Sequence, residues 1–496
     1  MHYKSRNLAF LLIFLLFAGA CTIQRNPVSG NQRLMAYTWS QEVEIGREVD
    51  QEFTAQYGLY DDERVAEYID GIGHLILAES HMRREDTEQQ FRETEFFFRV
   101  LDSPVVNAFA LPGGYVYVTR GLLAHLNNEA QLAVVIGHEI GHVAARHSSQ
   151  RAMRQQLGQI AVLGGAVLGQ ELLGIPGEPI LNLSSQAAQL IFLSYGRSAE
   201  RESDRLGVEY AARAGYVAEE GAAFFTSLKR ISEASGQSIP TWLSSHPDPG
   251  ERESNIPQLA RDWEEQGYEQ TVRNEEIYFG ILDGMLYGEN PREGFVDNSR
   301  FVHPDLAFQF PVPAGWQLIN ERNQVILISS GGDAVMIFRI DPESGSAQES
   351  VRTFIAQEGI TVDNESTARS SDRFNAYLAD VTIQQDAGDL RALVYAVEHN
   401  DRIYRFLNYS AVDNFDNFKA DFNAVTGDFD NLTEPEILNV QSVRLEIVHV
   451  DQPGPFKNFL PDPLPTGITA TEIAIINQLE LDDTVESSRR LKIPKQ

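Results

Sequence analysis

Among the 496 residues there is one cysteine, Cys21. No intramolecular disulfide can form, and thiol catalysis and thiolate zinc sites are excluded, so hydrophobic cores must hold the fold. Basic residues are also scarce. Forty Lys and Arg stand against 71 Asp and Glu, a formal net charge of -31, which repels nucleic acid and anionic membrane surfaces and leaves no nucleic-acid partner to expect. Long apolar runs are missing beyond the first twenty residues. The best internal candidate, LGQIAVLGGAVLG from Leu157 to Gly169, is broken by Gln159 and two adjacent glycines. It falls short of the ~20 apolar residues a bilayer demands and reads as a helical hairpin. No periodic repeat is present, which argues against stacked helical repeats.

What is present begins with an export signal over residues 1–20: Lys4 and Arg6, the run LAFLLIFLLF, then Ala18, Gly19 and Ala20 before Cys21. The stretch AGAC resembles the lipobox of bacterial lipoproteins, with Ala18 where Leu is usual. The resemblance implies that Cys21 is lipidated and becomes the mature N-terminus; a plain secretory peptide is the alternative. Thr22 follows the cysteine instead of Asp, which implies the periplasmic face of the outer membrane, with the lipid in its inner leaflet.

The length suggests two or three domains. Residues 21–38 are polar with Pro and Gly and read as a tether. Helical spacing starts at Trp39, with Ser40 as a capping residue, and recurs in DDERVAEYIDGIGHLILAES. EFFFRVLD and YVYVTR read as strands. GLLAHLNNEAQLAVVIGHEIGHVAARHSSQRAM reads as two helices, and further helical patterns surround Glu200 and Glu220. After about Tyr287, GENPREGFVDNSRFVHPD has the turn density of a linker. Residues 300–435 then alternate as strands with a single helix at SAQESVRTFIAQEG, an α+β domain. Residues 440–496 form a final small piece.

Chemistry concentrates in GHEIGHVAARH, Gly137 to His147. His138 and His142 are four apart, so both project from one helix face and can share a metal. Glu139 is offset by about 100° and stands beside that metal as a base. A catalytic zinc needs a third protein ligand and an open position. His147 is one candidate, but it lies five residues past His142 and about 140° around the helix, and it reads more readily as a packing histidine. Position 148, where a metzincin carries its third histidine, is Ser148. The other candidate is SYGRSAERESDRLG, where Glu200 and Asp204 share a helix face and Glu202 is turned toward solvent.

HEIGH, the preceding VNAFALPGGYVYVTRGLL and the following SAERESDRLG occur in an order that resembles the zinc metallopeptidases that include the CAAX prenyl endopeptidases, HtpX and the periplasmic protease BepA. The resemblance runs from about Trp39 to Gly280, within a domain placed at 39–285. It implies a mainly α, zincin-type metalloprotease domain with a small β-sheet, and one zinc per chain held by His138, His142 and Glu200. It further implies Glu139 as general base and Asp204 as the carboxylate supporting a ligand. Ser203 stands where the family pattern has Ala. Asn107, Ala108, Phe109 and Ala110 would offer a strand edge to an extended peptide, and Gly141 would admit a close neighbouring helix. SSHPDPGER resembles a His-Pro segment of BepA-like proteases, which makes His246 a residue that caps the metal in a latent state or bonds the oxyanion in an open one.

LAFQFPVPAGWQLIN is similar to the opening of PsbP-like α+β domains. The terminal INQLELDDTVESSRRLKIP is similar to the end of a LysM repeat through Asn477 and Lys492 to Pro494, which raises peptidoglycan as a ligand. The combined expectation is an outer-membrane-tethered zinc endopeptidase acting on misfolded or mistargeted envelope polypeptides, with outer-membrane assembly components as partners. The alternative is a chaperone-like or scaffold protein that seldom cleaves. An intact Glu139 favours the enzyme, because a chaperone needs no general base.

Overall fold

The computed structural model describes residues 22–154, 195–234, 242, 246, 251–385 and 388–496. The expected signal over 1–20, Cys21 and the hairpin expected at 157–169 lie outside the described residues.

The metallopeptidase-like region is built around one central helix. Helix α1 spans Trp39–Tyr57 and starts at Thr38, whose side chain accepts from the Gln41 amide in a capping box. The start is thus two residues upstream of the expected Ser40, because Gln41 answers Thr38 reciprocally. Helix α2 (Glu63–Glu79) is capped by Asp62. Strands β3 (Phe97–Leu101), β4 (Ala108–Leu111) and β5 (Tyr115–Thr119) form a sheet in the order β3-β5-β4, with β3 parallel and β4 antiparallel to β5. Pro112 to Gly114 turn the chain between β4 and β5, with φ of 82° and 110° at Gly113 and Gly114, the left-handed region that glycine occupies without strain. A short helix α3 (Arg120–His125) precedes α4 (Glu129–Ala144), capped by Asn128. Every residue of α4 is buried, so apolar and site-forming faces alike are enclosed by neighbours.

Those neighbours include α2, β4, α5 (Arg197–Arg213), α6 (Gly221–Ala234) and α8 (Glu275–Leu282), while α7 (Arg252–Glu265) packs on α5 and α6. The α4 and α5 crossing is a glycine contact. A Cβ on Gly207 would meet His138 N and Val134 O at 2.8 Å each, and one on Gly137 would meet Gly207 O at 2.9 Å. Gly141 faces the same helix, with Leu206 Cβ at 3.1 Å from where its own Cβ would stand. Backbone cannot yield as a side chain can, so Gly207→Ala must push α5 off α4. The expected cost is about 1–3 kcal/mol, read from the denaturant midpoint, with weaker binding of the zinc expected from the sequence, because α4 carries His138 and His142 and α5 carries Glu200. An unchanged midpoint and zinc affinity would remove the close crossing as a determinant of the site.

Residues 22–35, expected as tether, pair as a hairpin of β1 (Thr22–Arg25) and β2 (Gln32–Met35). It is pinned beside the end of α4. Asn26 Nδ2 donates to Ala145 O at 2.7 Å, and the buried Arg146 donates to Gln24 Oε1 at 2.6 Å, Tyr37 O at 2.9 Å and Glu42 Oε1 at 2.6 and 2.9 Å. Polar composition pointed to a free tether, yet those polar groups are consumed satisfying the buried helix end.

The expected linker also begins a sheet. β6 (Phe295–Asp297) and β7 (Arg300–His303) flank Asn298 and Ser299, whose φ values are 47° and 63°; two left-handed residues make a hairpin turn. With β8 (Phe308–Pro311) and β16 (Asp430–Asn431) they form four strands in the order β16-β8-β7-β6. The next sheet is antiparallel, from β9 (Gln317–Glu321), β10 (Gln324–Ile328), β11 (Ala334–Ile340), β12 (Ile360–Ser370), β13 (Phe374–Ile383), β14 (Leu390–His399) and β15 (Arg402–Ala411), ordered β12-β13-β14-β15-β11-β10-β9. Helix α9 (Ala347–Ile355) packs on β13 and β14 through Val351 and Phe354, and a helix missed in the sequence, α10 (Phe415–Gly427), contributes Phe415 and Phe422 to a phenylalanine-rich core. Both α and β structure are therefore present, as an α+β domain requires, but with two helices instead of one.

The last piece pairs β17 (Arg444–His449) with β18 (Arg490–Lys495) around helix α11 (Ala470–Ile476). It docks on the first region. Leu445 and Ile476 join the core around α4, and the buried Lys492 Nζ donates to Ala124 O at 2.6 Å and Leu126 O at 2.7 Å. Burial pushes the Lys492 ammonium well below its ordinary value. Asn477 closes the piece internally, accepting from Lys492 N and donating to Lys492 O, both at 2.8 Å.

Candidate active site

His138 and His142, one turn apart on α4, turn their Nε2 atoms to each other at 3.0 Å. The crossing of α5 brings Glu200 up to them, with Oε2 at 3.6 Å from His138 Nε2 and Oε1 at 3.5 Å from His142 Nε2. From the segment before α7, His246 places Nδ1 at 3.1 Å from Glu200 Oε2 and 3.3 Å from His138 Nε2. All four side chains are buried, and their four donor atoms lie within 4.8 Å of one another.

This donor set fits a zinc ion. A tetrahedral site with bonds of about 2.0–2.1 Å has ligand atoms roughly 3.3 Å apart, close to the 3.0 to 3.6 Å separations of the nitrogen and oxygen pairs above. Imidazole nitrogens and carboxylate oxygens converge here with more lone pairs than protons, and Glu200 Oε1 has no hydrogen-bond partner, a costly arrangement unless a cation completes it. Each α4 ligand ring is backed at its far nitrogen. His138 Nδ1 stands 2.9 Å from Asp204 Oδ1, one turn beyond Glu200 on α5, the helical spacing at which one carboxylate reaches a metal and the other a ligand.

Electrostatics follows from burial and crowding. Burial would raise the Glu200 carboxyl, but His246, His138 and Arg252 more than offset it and hold it at about 2. The Glu139 carboxyl is raised, because burial outweighs the opposing His246 and His138. His142 is pushed well below its ordinary value by burial and by the neighbouring imidazoles. For His246 burial lowers the pKa, but Glu200 and Glu139 outweigh it and raise it. Neither Glu139 oxygen has a hydrogen-bond partner, and Oε1 lies 3.6 Å from His246 Nε2. Glu139 is therefore beside the donor cluster without belonging to it.

Three residues take places that sequence reasoning did not assign. Arg252, at the first position of α7 and 2% exposed, donates to Glu200 Oε2, to Asp204 Oδ2 at 2.8 Å and to the His246 carbonyl at 3.5 Å. Its guanidinium lies over the rings of Phe225 and Trp242 at 5.0 and 5.8 Å. The signal available was an arginine six residues after His246, and nothing local separates it from a surface arginine. His147, expected as packing, lies outside the donor group but faces His142 with Nδ1 to Nδ1 at 3.1 Å. Glu202, expected in solvent, accepts from His147 Nε2 at 3.3 Å. Burial lowers the His147 pKa, with Glu202 opposing.

Ala108, Phe109 and Ala110 form most of β4, an outer strand of its sheet, and no other strand among the described residues pairs with its free side. Phe109 stacks on Tyr117 with centroids 4.9 Å apart, and Asn107 precedes the strand with its amide bonded to Thr119 Oγ1 at 3.1 Å. Ala110, Leu111 and Pro112 share a small cavity with His142 and Val143, so the C-terminal end of the edge lies at the metal-facing helix.

A buried helix that presents HEIGH to a carboxylate from a crossing helix, beside a strand edge, defines the centre of a HExxH metallopeptidase domain. Residues 78–260, which contain every residue of this centre, match the model of peptidase family M48. Relatives include a beta-barrel assembly-enhancing protease of Yersinia pestis, 30% identical over 219 residues that cover 43% of each chain. Another is a mitochondrial metalloendopeptidase OMA1 of Bos taurus, 32% identical over 174 residues, 34% of this chain and 33% of that one. The chain spans under half the length of these curated relatives. Among solved structures, a cyanobacterial PsbP from Synechocystis aligns with 29% of this chain and 98% of its own, at 17% identity and a TM-score of 0.24.

Proposed function

We propose that this chain is a zinc-dependent endopeptidase of the bacterial envelope, acting on misfolded or unassembled outer-membrane polypeptides and held at the membrane by lipid on Cys21. The observation that carries the reading is the buried convergence of His138, His142, Glu200 and His246 beside the unpartnered carboxylate of Glu139. Relatives named for beta-barrel assembly support the place of action, and no helix among the described residues is long and apolar enough to cross a membrane.

When bound, zinc supplies Lewis acidity, acidifying a water and polarising a carbonyl. Glu139, whose raised pKa makes it a stronger base than an ordinary carboxylate, takes the proton of the attacking water and returns it to the leaving amine. Asp204 Oδ1, 2.9 Å from His138 Nδ1, sets a carboxylate beside that ring's far nitrogen and so favours Nε2 as the atom turned to the metal. The β4 edge pairs with the main chain of an extended substrate, a mode that accepts varied sequences. The α+β domain and the LysM-like tail serve as docking and scaffold parts; Lys492, inside the resemblance, is spent on the Ala124 and Leu126 carbonyls and faces no glycan.

His246 would hold the fourth position on a bound zinc, and with it there the chain would be latent. His246→Ala opens that position and is expected to raise cleavage of unfolded casein several-fold, while a zinc chelator abolishes cleavage in both forms and added zinc restores it. Chelator-resistant cleavage would overturn the zinc reading. Cleavage unchanged or lower in His246→Ala would overturn the capping role alone.

A further inference from the structure

The third histidine of GHEIGHVAARH is outside the donor group, yet His147 is buried as fully as the ligands, at 2% exposure. We propose that His147, backed by Glu202, is a positioning residue that fixes the His142 ring with Nε2 toward the metal. The inference rests on the metallopeptidase reading and deepens it.

His142 faces the cluster through Nε2, at 3.0 Å from His138 Nε2 and 3.5 Å from Glu200 Oε1. A nitrogen that gives its lone pair to a metal carries no proton, so the neutral ring bears its proton on Nδ1. That Nδ1 meets His147 Nδ1 at 3.1 Å. By accepting there, His147 must carry its own proton on Nε2, and Nε2 meets Glu202 Oε2 at 3.3 Å. Each donor in the chain finds an acceptor, in one direction only: His142 to His147 to Glu202. Ser203 Oγ, 3.3 Å from His147 Nδ1, is a second polar contact on the same atom.

The other ligand ring has an α5 carboxylate beside its far nitrogen with no intermediary, Asp204 Oδ1 standing 2.9 Å from His138 Nδ1. Both backing carboxylates come from α5. His142 is one turn further along α4 than His138, and the α5 carboxylate on that side reaches it only through His147. The position five residues past His142, wrong for a ligand, is suitable for an intermediate. The Tyr195 ring, with its centroid 4.0 Å from that of His142, covers the same imidazole, so a ring released by His147 would still be confined but no longer oriented.

The test uses the full chain stripped of metal and titrated with cobalt(II), whose visible bands report ligand geometry independently of proteolysis. His147→Leu removes the acceptor and is expected to weaken cobalt binding roughly 10–100-fold and to shift the bands. His147→Gln, whose amide oxygen can accept the His142 proton, is expected to recover most of the loss. Glu202→Ala, at a partly exposed position that tolerates substitution, should weaken binding in the same direction by less, and it carries the test if His147→Leu does not fold. Wild-type affinity and bands in these variants would overturn the proposal, as would a lower melting temperature of the metal-free chain with unaltered cobalt binding, the mark of a packing role. A wild-type chain that binds no cobalt would overturn the metal reading and the relay with it.

Discussion

Glu139→Gln is expected to abolish cleavage of unfolded casein, with a loss of about 10²–10⁴-fold or more, while zinc remains at one per chain. The substitution is isosteric, and neither Glu139 oxygen has a hydrogen-bond partner, so no bond of the fold is lost and the charge removed is felt in the cluster chiefly by His246, 3.6 Å away. What is removed is the proton acceptor. The amide cannot take a proton from the attacking water or deliver one to the leaving nitrogen, and no other carboxylate is free to substitute: Glu200 is held by Arg252 and the imidazoles, and Asp204 by Arg252 and His138. Equal rates of proteolysis in Glu139→Gln and wild type, measured with zinc content on the same preparations, would sink the mechanism.

Arg252→Met is expected to destabilise the metal-free chain by about 3–5 kcal/mol, which for a domain of this size is a melting temperature roughly 6–20 °C lower. The guanidinium is buried and joins two buried carboxylates, Glu200 and Asp204; its removal strands both. Arg252→Lys keeps the charge without the planar fork and should fall between. Zinc should return part of the loss, since it brings a replacement cation to Glu200. The pH dependence of the pair has a definite sign. The Glu200 carboxyl lies at about 2 in the folded metal-free chain against 4.5 when unperturbed. Its contribution is therefore fully present above pH 4.5 and is lost as pH falls toward 2. An Arg252→Met chain that melts with wild type would show that the pair contributes no net stability.

Legibility in the sequence varied with the distance over which each signal acts. The helices around HEIGH and SAERESDR, the strands of FFFRVL and YVYVT and the helix at SAQESVRTFI were readable because periodicity is local. The tether at 21–38 was misread because polar residues that bond a buried helix end look like polar residues in solvent. Strand β12, ITVDNESTARS, went unread because it is exposed on both faces and does not alternate. Helix α10 was missed although Phe415 and Phe422 are fully buried. The angle of Glu202 on α5 points it to solvent, and it says nothing of a histidine arriving from another helix.

By itself the sequence determined the chemistry on each helix. Four-residue spacing places His138 with His142 and Glu200 with Asp204, because 3.6 residues per turn holds in any helix. Only the tertiary structure decided how these pairs meet. The approach of α5 to α4 is set where Gly137 lies against Gly207, and that contact sets the reach of Glu200, the bond of His147 to Glu202 and the grip of Arg252. His246 enters from 108 residues beyond His138, a separation that no local period encodes. Backbone packing between distant segments fixes it.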